Sequence, residues 1–459
     1  MVEKRTSIHG HWSSRAAFVL AATGSAVGLG NIWRFPYLTG ENGGGAFVLV
    51  YIACVIVVGL PLMMAEIMLG RRGRSSPINT MRHLVEDEGH SKLWELLGWS
   101  GVAAGFLILS FYSVIAGWTL IYIFEAATGT FNGATAETVG LMFTDLLASP
   151  WIMFGLHTTF IAMTVFVVGR GVEQGLEKAV KFLMPALFLI LLLLVAYSMT
   201  TGHFMEGVRF LFTPDFSKLQ PGTVLVALGQ AFFSLSLGMG AIMAYGAYLP
   251  EDASIPRISV TVALADTGVA LIAGLAIFPI VFANGLEPGQ GPGLIFVTLP
   301  IAFADMGFGQ IYGTLFFLLL AFAAWTSTIS LIEPAVAWLV EQRGLRRLPA
   351  AMVCGGIAWV IGIGSVLSFN HWQTYTLIGR NFQEFIEHIA ANIMLPLGGL
   401  AIAVYAGWFL SKKASVEEMG AGDGKVYKTW RFLVRYVTPI LVIIVFLNAS
   451  GIWSTSGGQ

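Results

Sequence analysis

The chain has 459 residues, 56% of them hydrophobic and only 11% charged. Soluble domains carry roughly 25% charged residues, and mean hydropathy here is +0.76, which excludes a soluble globular protein and leaves an integral membrane protein. A net charge of −1 gives no sign of a nucleic-acid partner. With roughly 20 apolar residues needed per crossing, eleven spans are predicted in chain order: 13–38, 44–70, 93–128, 151–169, 173–201, 222–249, 257–284, 308–341, 347–369, 377–411 and 427–452. No polar stretch is long enough to bury a core of its own. The first span follows a basic N-terminus without a small-residue cleavage site, so it is expected to be retained.

That first span carries Gly24-Ser25-Ala26-Val27-Gly28-Leu29-Gly30-Asn31-Ile32-Trp33-Arg34-Phe35-Pro36. Three glycines, an amide, an arginine and a proline predict that regular helix fails there. Lipid cannot satisfy the peptide groups a break exposes, so the break is expected to line a buried binding site. A second interruption is predicted in the sixth span, at Gln230 through Ala241, where Gly238-Met239-Gly240 repeats the pattern of Gly28-Leu29-Gly30. Trp118-Thr119 and Trp325-Thr326 echo each other in the third span of each half. Matching breaks in two halves point to an inverted-repeat carrier with its site at the midplane. Close helix packing is the other reading of such glycines; Ser25, Asn31, Ser234 and Ser236 on the same breaks favour the site.

Lys and Arg set the expected orientation. With the N-terminus inside, one side collects Lys4, Arg5, Arg71, Arg72, Arg74, Arg82, Lys92, Arg170, Lys178, Lys181, Arg257, Arg343, Arg346, Arg347, Lys412 and Lys413, against Arg34, Arg209, Lys218 and Arg380 on the other. An odd number of spans then puts the C-terminus outside. Cys54 and Cys354 lie in separate apolar runs and read as free thiols. The sequon Asn448-Ala449-Ser450 reads as a chance occurrence.

Several long motifs carry a family resemblance: residues 28–37 (GLGNIWRFPY), Glu41 through Phe47, Pro61-Leu62 through Glu66, the segment 230–248, and Ala323-Ala324-Trp325-Thr326-Ser327. In order and spacing they resemble the neurotransmitter:sodium symporter family, and within it the bacterial multi-hydrophobic amino-acid transporters. The resemblance spans nearly the whole chain. It implies an all-α leucine-transporter-like fold in a single domain over 1–459, with a first repeat at 13–201, an inverted second repeat at 222–411 and an extra span at 427–452. It implies a sodium-coupled symporter, not an enzyme, importing L-amino acids with apolar or aromatic side chains across the cell inner (plasma) membrane. The partners implied are the amino acid and the lipid bilayer, with no obligatory protein partner.

The resemblance also assigns residues. The substrate would meet Ser25, Ala26, Gly28, Leu29, Gly30, Tyr112, Ser234, Ser236 and Ser327, with an apolar pocket of Ile108, Phe233, Met239 and Leu331. Packing alone would equally account for the last four. Flexible methionine at 239 suits a pocket of broad acceptance. Two sodium ions are implied, the first held by Ala26, Asn31, Ser234 and Asp266, the second by Gly24, Val27, Ala323, Thr326 and Ser327; oxygen ligands suit such a hard cation. Many relatives carry a neutral amide at the place of Asp266 and require chloride. Here an intramembrane carboxylate, functional by default, is expected to replace the chloride charge and, once protonated, to carry a proton back.

For the gates, the resemblance pairs Arg34 with Glu387, where relatives commonly have aspartate, and gives Glu66 the support of broken-helix amides. On the inner side it places Trp12, Tyr245, Tyr248 and Glu341. His9 stands where the family has arginine, which makes a pairing with Glu341 pH-sensitive, while Lys4-Arg5 lies further back. Gly175 and Pro185, with nine residues between them in the fifth span, match relatives whose helix unwinds there; a packing kink is the alternative. A channel, a membrane hydrolase and a transport-dead sensor are the rival functions. The chain holds no HExxH zinc motif and no GxSxG elbow.

Overall fold

A computed structural model describes residues 5–220, 222–286, 293–305, 307–420 and 422–449. Lys4, Ser450 of the sequon and the end of the predicted last span lie outside the described residues. Among these residues there is no β-strand beyond two isolated bridges, Gly44 with Pro214 and Leu377 with Arg380. The rest is helix and its connections.

Helix is what a lipid-crossing chain must form, because each peptide group then finds its partner inside the segment. The first span is a bent pair, α1 (Arg15–Ala26) and α2 (Gly30–Glu41), which meet at 52°. There follow α3 (Gly45–Gly73), α4 (Pro77–Glu88), α5 (Lys92–Thr128), α6 (Ala136–Ala148), α7 (Pro150–Val168), α8 (Val172–Thr201) and α9 (Phe204–Phe212). The sixth predicted span is two short helices, α10 (Thr223–Ser234) and α11 (Ala241–Ala247). The remainder are α12 (Ile255–Ala283), α13 (Leu294–Ala304), α14 (Gly309–Arg343), α15 (Arg347–Ser368), α16 (Phe382–Phe409), α17 (Lys412–Met419) and α18 (Lys425–Leu447). Nine of these are long and apolar enough to cross a membrane, or ten with the bent pair counted as one span. Residues 377–381, predicted as the start of a span, precede the helix, which is capped by Asn381 and Glu384 in a reciprocal capping box.

Packing decides which helices form the interior. In α5 and α14 the apolar stretch is 72% and 78% buried, against 28% in α18. The former pair runs together through the centre, and α1, α7, α8, α11 and α15 pack against it. Helices α7, α8 and α18 show apolar flanks outward, as lipid contact requires. Cys54 and Cys354 are both free thiols.

Candidate functional site

Both interruptions fall on the glycine-containing runs. After Ala26, Val27 is extended (φ −70°, ψ 106°), and the chain re-enters helix through a π turn over Gly30–Arg34. In the second, α10 stops at Ser234 and α11 begins only after Gly240, with Gly238 and Gly240 at φ +80° and +74°. Ser236 is left-handed as well (φ 54°), which costs a non-glycine residue free energy. Its hydroxyl donates to the Ser25 carbonyl at 2.8 Å, tying the strained turn to the other break. Gln230 Nε2 donates to the Gly30 carbonyl at 2.7 Å, and the Gly238 amide donates to Glu66 Oε1 at 2.7 Å. Orphan groups of one segment are thus satisfied by the other, or by an acid from α3.

Between the breaks lies a narrow hollow. Ser25, Ala26, Gly28 and Gly30 face it from the first break, Phe233, Ser236 and Met239 from the second, Ile108 and Tyr112 from α5, and Ser327 and Leu331 from α14. Its walls divide by chemistry. Tyr112 Oη, accepting from the Leu29 amide at 3.0 Å, sits with Ser327 at the Gly28 corner. Ile108, Phe233, Met239 and Leu331 supply apolar surface. Leu29 and Ser234, both predicted substrate contacts, are not among the lining residues. Leu29 gives its amide to Tyr112, and Ser234 turns toward α12.

There Ser234 Oγ donates to Asp266 Oδ2. The Asn31 amide donates to Asp266 Oδ1 at 2.8 Å and to its carbonyl at 3.0 Å, while Asn31 Oδ1 accepts from the Gly28 amide at 3.2 Å. Tyr51 from α3 completes the cluster, 3.0 Å from Ser234 Oγ and 3.4 Å from Asp266 Oδ2. All four side chains are buried. Carboxylate, amide and hydroxyl oxygens gathered on a helix break are the donor set a small hard cation takes. Of the second predicted set, Gly24 and Thr326 lie side by side: a Cβ on Gly24 would lie 3.4 Å from Thr326 Cβ. Thr326 and Ser327 hydroxyls donate to the Ala323 carbonyl at 3.0 and 3.2 Å.

The flanks of the hollow differ. On one flank, Arg34 lies over the Phe233 ring, 5.1 Å from its centroid. Arg34 and Glu387, predicted to pair, form no ion pair within 4.0 Å among the described residues; the guanidinium takes the aromatic face instead. On the other flank, the N-terminal segment is strapped down. The Trp12 indole donates to the Tyr245 carbonyl and its amide to the Tyr248 carbonyl, both at 3.2 Å. His9 Nε2 stands 2.9 Å from Glu341, which also accepts from the Ser76 amide and Asn79 at 2.7 Å. His9 Nδ1 lies 3.4 Å from Arg347 Nη1. Arg5 forks onto Asp87, its Nη2 donating at 2.8 Å, and holds that carboxyl below the usual aspartate range. The Ser13 amide donates to Glu177 at 2.9 Å. Glu177 ends the π turn Val172–Glu177 that contains Gly175, and Pro185 lies inside the helix beyond.

Sequence reasoning missed Tyr51, Gln230, Glu333 and Arg347. Glu333 is fully buried in α14, accepting from Tyr248 Oη at 2.8 Å and from Arg347. An acid before a proline in an apolar run was the available signal.

The family model described as the sodium:neurotransmitter symporter family matches residues 9–139 and 143–454. The chain belongs to that family. It is 40% identical to an uncharacterized sodium-dependent transporter, YhdH, of Bacillus subtilis, over 96% of this chain and 98% of that one. An uncharacterized sodium-dependent transporter of Haemophilus influenzae is 34% identical over 95% and 97%. Among solved structures, the crystal structure of MhsT in complex with L-phenylalanine is similar, with a TM-score of 0.88, 45% identity, and coverage of 96% of this chain and 99% of that one. This sodium:neurotransmitter symporter family member is therefore an all-helical, multi-pass, sodium-dependent membrane symporter.

Proposed function

We propose that the protein imports L-amino acids with apolar or aromatic side chains, coupled to sodium, by alternating access. The observation that carries this is the hollow between the two helix breaks, polar at Tyr112 and Ser327 and apolar at Ile108, Phe233, Met239 and Leu331. A zwitterion needs that division: amides and a phenol for its carboxylate, bared carbonyls for its ammonium, apolar walls for its side chain. The bound L-phenylalanine of MhsT, 45% identical, supports the substrate class.

In this reading eleven spans form a five-plus-five inverted repeat with a further span, and the first and sixth are unwound at mid-membrane. The positive asymmetry of the loops supports a plasma-membrane protein with its N-terminus cytoplasmic and C-terminus external. Asn31, Ser234, Asp266 and the Ala26 carbonyl hold one sodium; Gly24, Val27, Ala323, Thr326 and Ser327 hold the other. Asp266 brings its own negative charge to the first set, which removes the need for chloride, and its protonation after sodium leaves returns a proton. Opening inward releases the strap of Arg5, His9, Trp12 and Ser13; unwinding between Gly175 and Pro185 admits water. Proteoliposomes loaded with potassium test the function. An inward sodium gradient should drive uptake of phenylalanine, leucine and tryptophan equally well in chloride and gluconate. Uptake that ignores sodium, or a substrate-dependent single-channel current, would remove the proposal.

A further inference from the structure

Outside the transport path, α16 and α18 cross where each contains a π turn, Tyr405–Phe409 and Leu433–Val437. Such turns recur at functional places in helices. A Cβ on Gly407 would lie 3.0 Å from Arg435 Cα, so the crossing is close only because residue 407 is glycine. It sets the Arg435 guanidinium over the Trp408 indole, 4.0 Å from the ring centroid, and 5.7 Å from that of Tyr436. The indole Nε1 donates to the Arg435 carbonyl at 2.9 Å, fixing the platform.

Arg435 has aromatic faces but no anion. Its side chain makes no hydrogen bond or ion pair among the described residues, and its Nε is buried without a partner. One turn away, on the same face, Arg431 donates to Ser415 Oγ at 2.9 Å, Tyr427 Oη at 2.6 Å and the Leu410 carbonyl at 3.5 Å, none of them an anion. The acids of the intervening connection are committed elsewhere: Glu417 and Glu418 to Arg71 and Arg72, Asp423 to Lys412. Two positive charges four residues apart on a helix repel and here go uncompensated by protein. The level in the bilayer is also fixed. Trp408 and Tyr436, 49% and 43% exposed, form the aromatic pair typical of the interface, and α16 ends at Phe409, shortly before the Lys412-Lys413 pair.

We propose that Arg435, on the Trp408 platform and backed by Arg431, is a binding site for the phosphate of an anionic membrane phospholipid, in the leaflet on the side of the Lys412–Asp423 connection. A planar guanidinium with free terminal nitrogens presents two parallel donors to a phosphate, and the surrounding uncompensated charge selects lipids with net negative heads. The site is independent of what the central hollow carries.

Native mass spectrometry of the full chain, released from mixed micelles of phosphatidylglycerol and phosphatidylcholine, reads the site. The chain should retain phosphatidylglycerol preferentially, and Arg435→Gln should lower that preference about fivefold. Lys412→Gln, whose charge Asp423 already meets, should leave it unchanged. If Arg435→Gln does not fold, Arg435→Lys serves instead: it keeps the charge without the fork, and its preference should fall between the two. Equal retention by Arg435→Gln and the unaltered chain overturns the proposal. So does equal retention of phosphatidylcholine, or displacement of the lipid by inorganic phosphate at matched concentration, which would make the ligand a free anion.

Discussion

Replacing Gly28 by alanine puts a methyl group into the polar corner of the hollow. Its Cβ would lie 2.5 Å from Ser327 Oγ and 2.9 Å from Tyr112 Oη; to reach ordinary contact the corner must open by about 1 Å. Neither neighbour moves freely. The Tyr112 phenol holds the Leu29 amide at 3.0 Å, and Ser327 Oγ holds the Ala323 carbonyl at 3.2 Å. Overpacking of this kind costs about 1–3 kcal/mol, which is roughly 5- to 150-fold in affinity if it falls on the substrate's carboxylate contact. Gly30→Ala is the matched control. Its Cβ would meet the Phe233 ring edge at 3.0 Å, and that half-buried ring can swing away, so the loss should stay below about fivefold. Equilibrium binding of radiolabelled L-phenylalanine in saturating sodium, with thermal stability recorded in parallel, separates the two. Equal affinities for Gly28→Ala and the unaltered chain, or a larger loss at Gly30, would refute the reasoning.

Other substitutions test the neighbouring claims. Asp266→Asn removes the carboxylate that Asn31, Ser234 and Tyr51 surround; sodium affinity should fall by at least about tenfold, and the residual transport should become responsive to chloride. An unchanged sodium titration would count against Asp266 as a ligand. Met239→Phe fills apolar space in the hollow and should reject tryptophan while retaining leucine; tryptophan uptake at the original rate would remove Met239 from the pocket. Arg5 lowers the Asp87 carboxyl, so their pairing is complete above the ordinary aspartate value, roughly pH 3.9, and is lost only as pH falls through the lowered one. A spin label at Thr6→Cys should stay immobile from pH 8 to 5 and loosen in stronger acid, and Asp87→Asn should free it at pH 7.

The sequence made the interruptions of helix legible because glycine, proline and polar residues in a lipid-crossing run have few other uses; both fall at Gly28-Leu29-Gly30 and Gly238-Met239-Gly240. Asp266 was conspicuous as the sole carboxylate of its span. Tyr51 was not, since a lone hydroxyl in an apolar run reads equally well as an interfacial anchor, and only the packing of α3 brings it to Ser234. The same limit hid the chain Tyr248–Glu333–Arg347, whose members lie just past the end of α11, within α14 and at the start of α15. Arg34 and Glu387 stand apart in this structure for a related reason. A long cation has several partners within reach, and the Phe233 face wins in this structure. Helices α6 and α9, in the connections, lacked the length that marks a span and were passed over.

The central claim is that an amino acid and sodium occupy adjoining parts of one site, joined by Ala26, Asn31 and Ser234. Its most direct measurement is reciprocal: the affinity for L-phenylalanine as a function of sodium, and that for sodium as a function of L-phenylalanine, on the purified chain. Linkage requires the two coupling factors to be equal, and the account predicts a tightening of at least about tenfold in each direction. Phenylalanine that binds identically in sodium and in choline would contradict it.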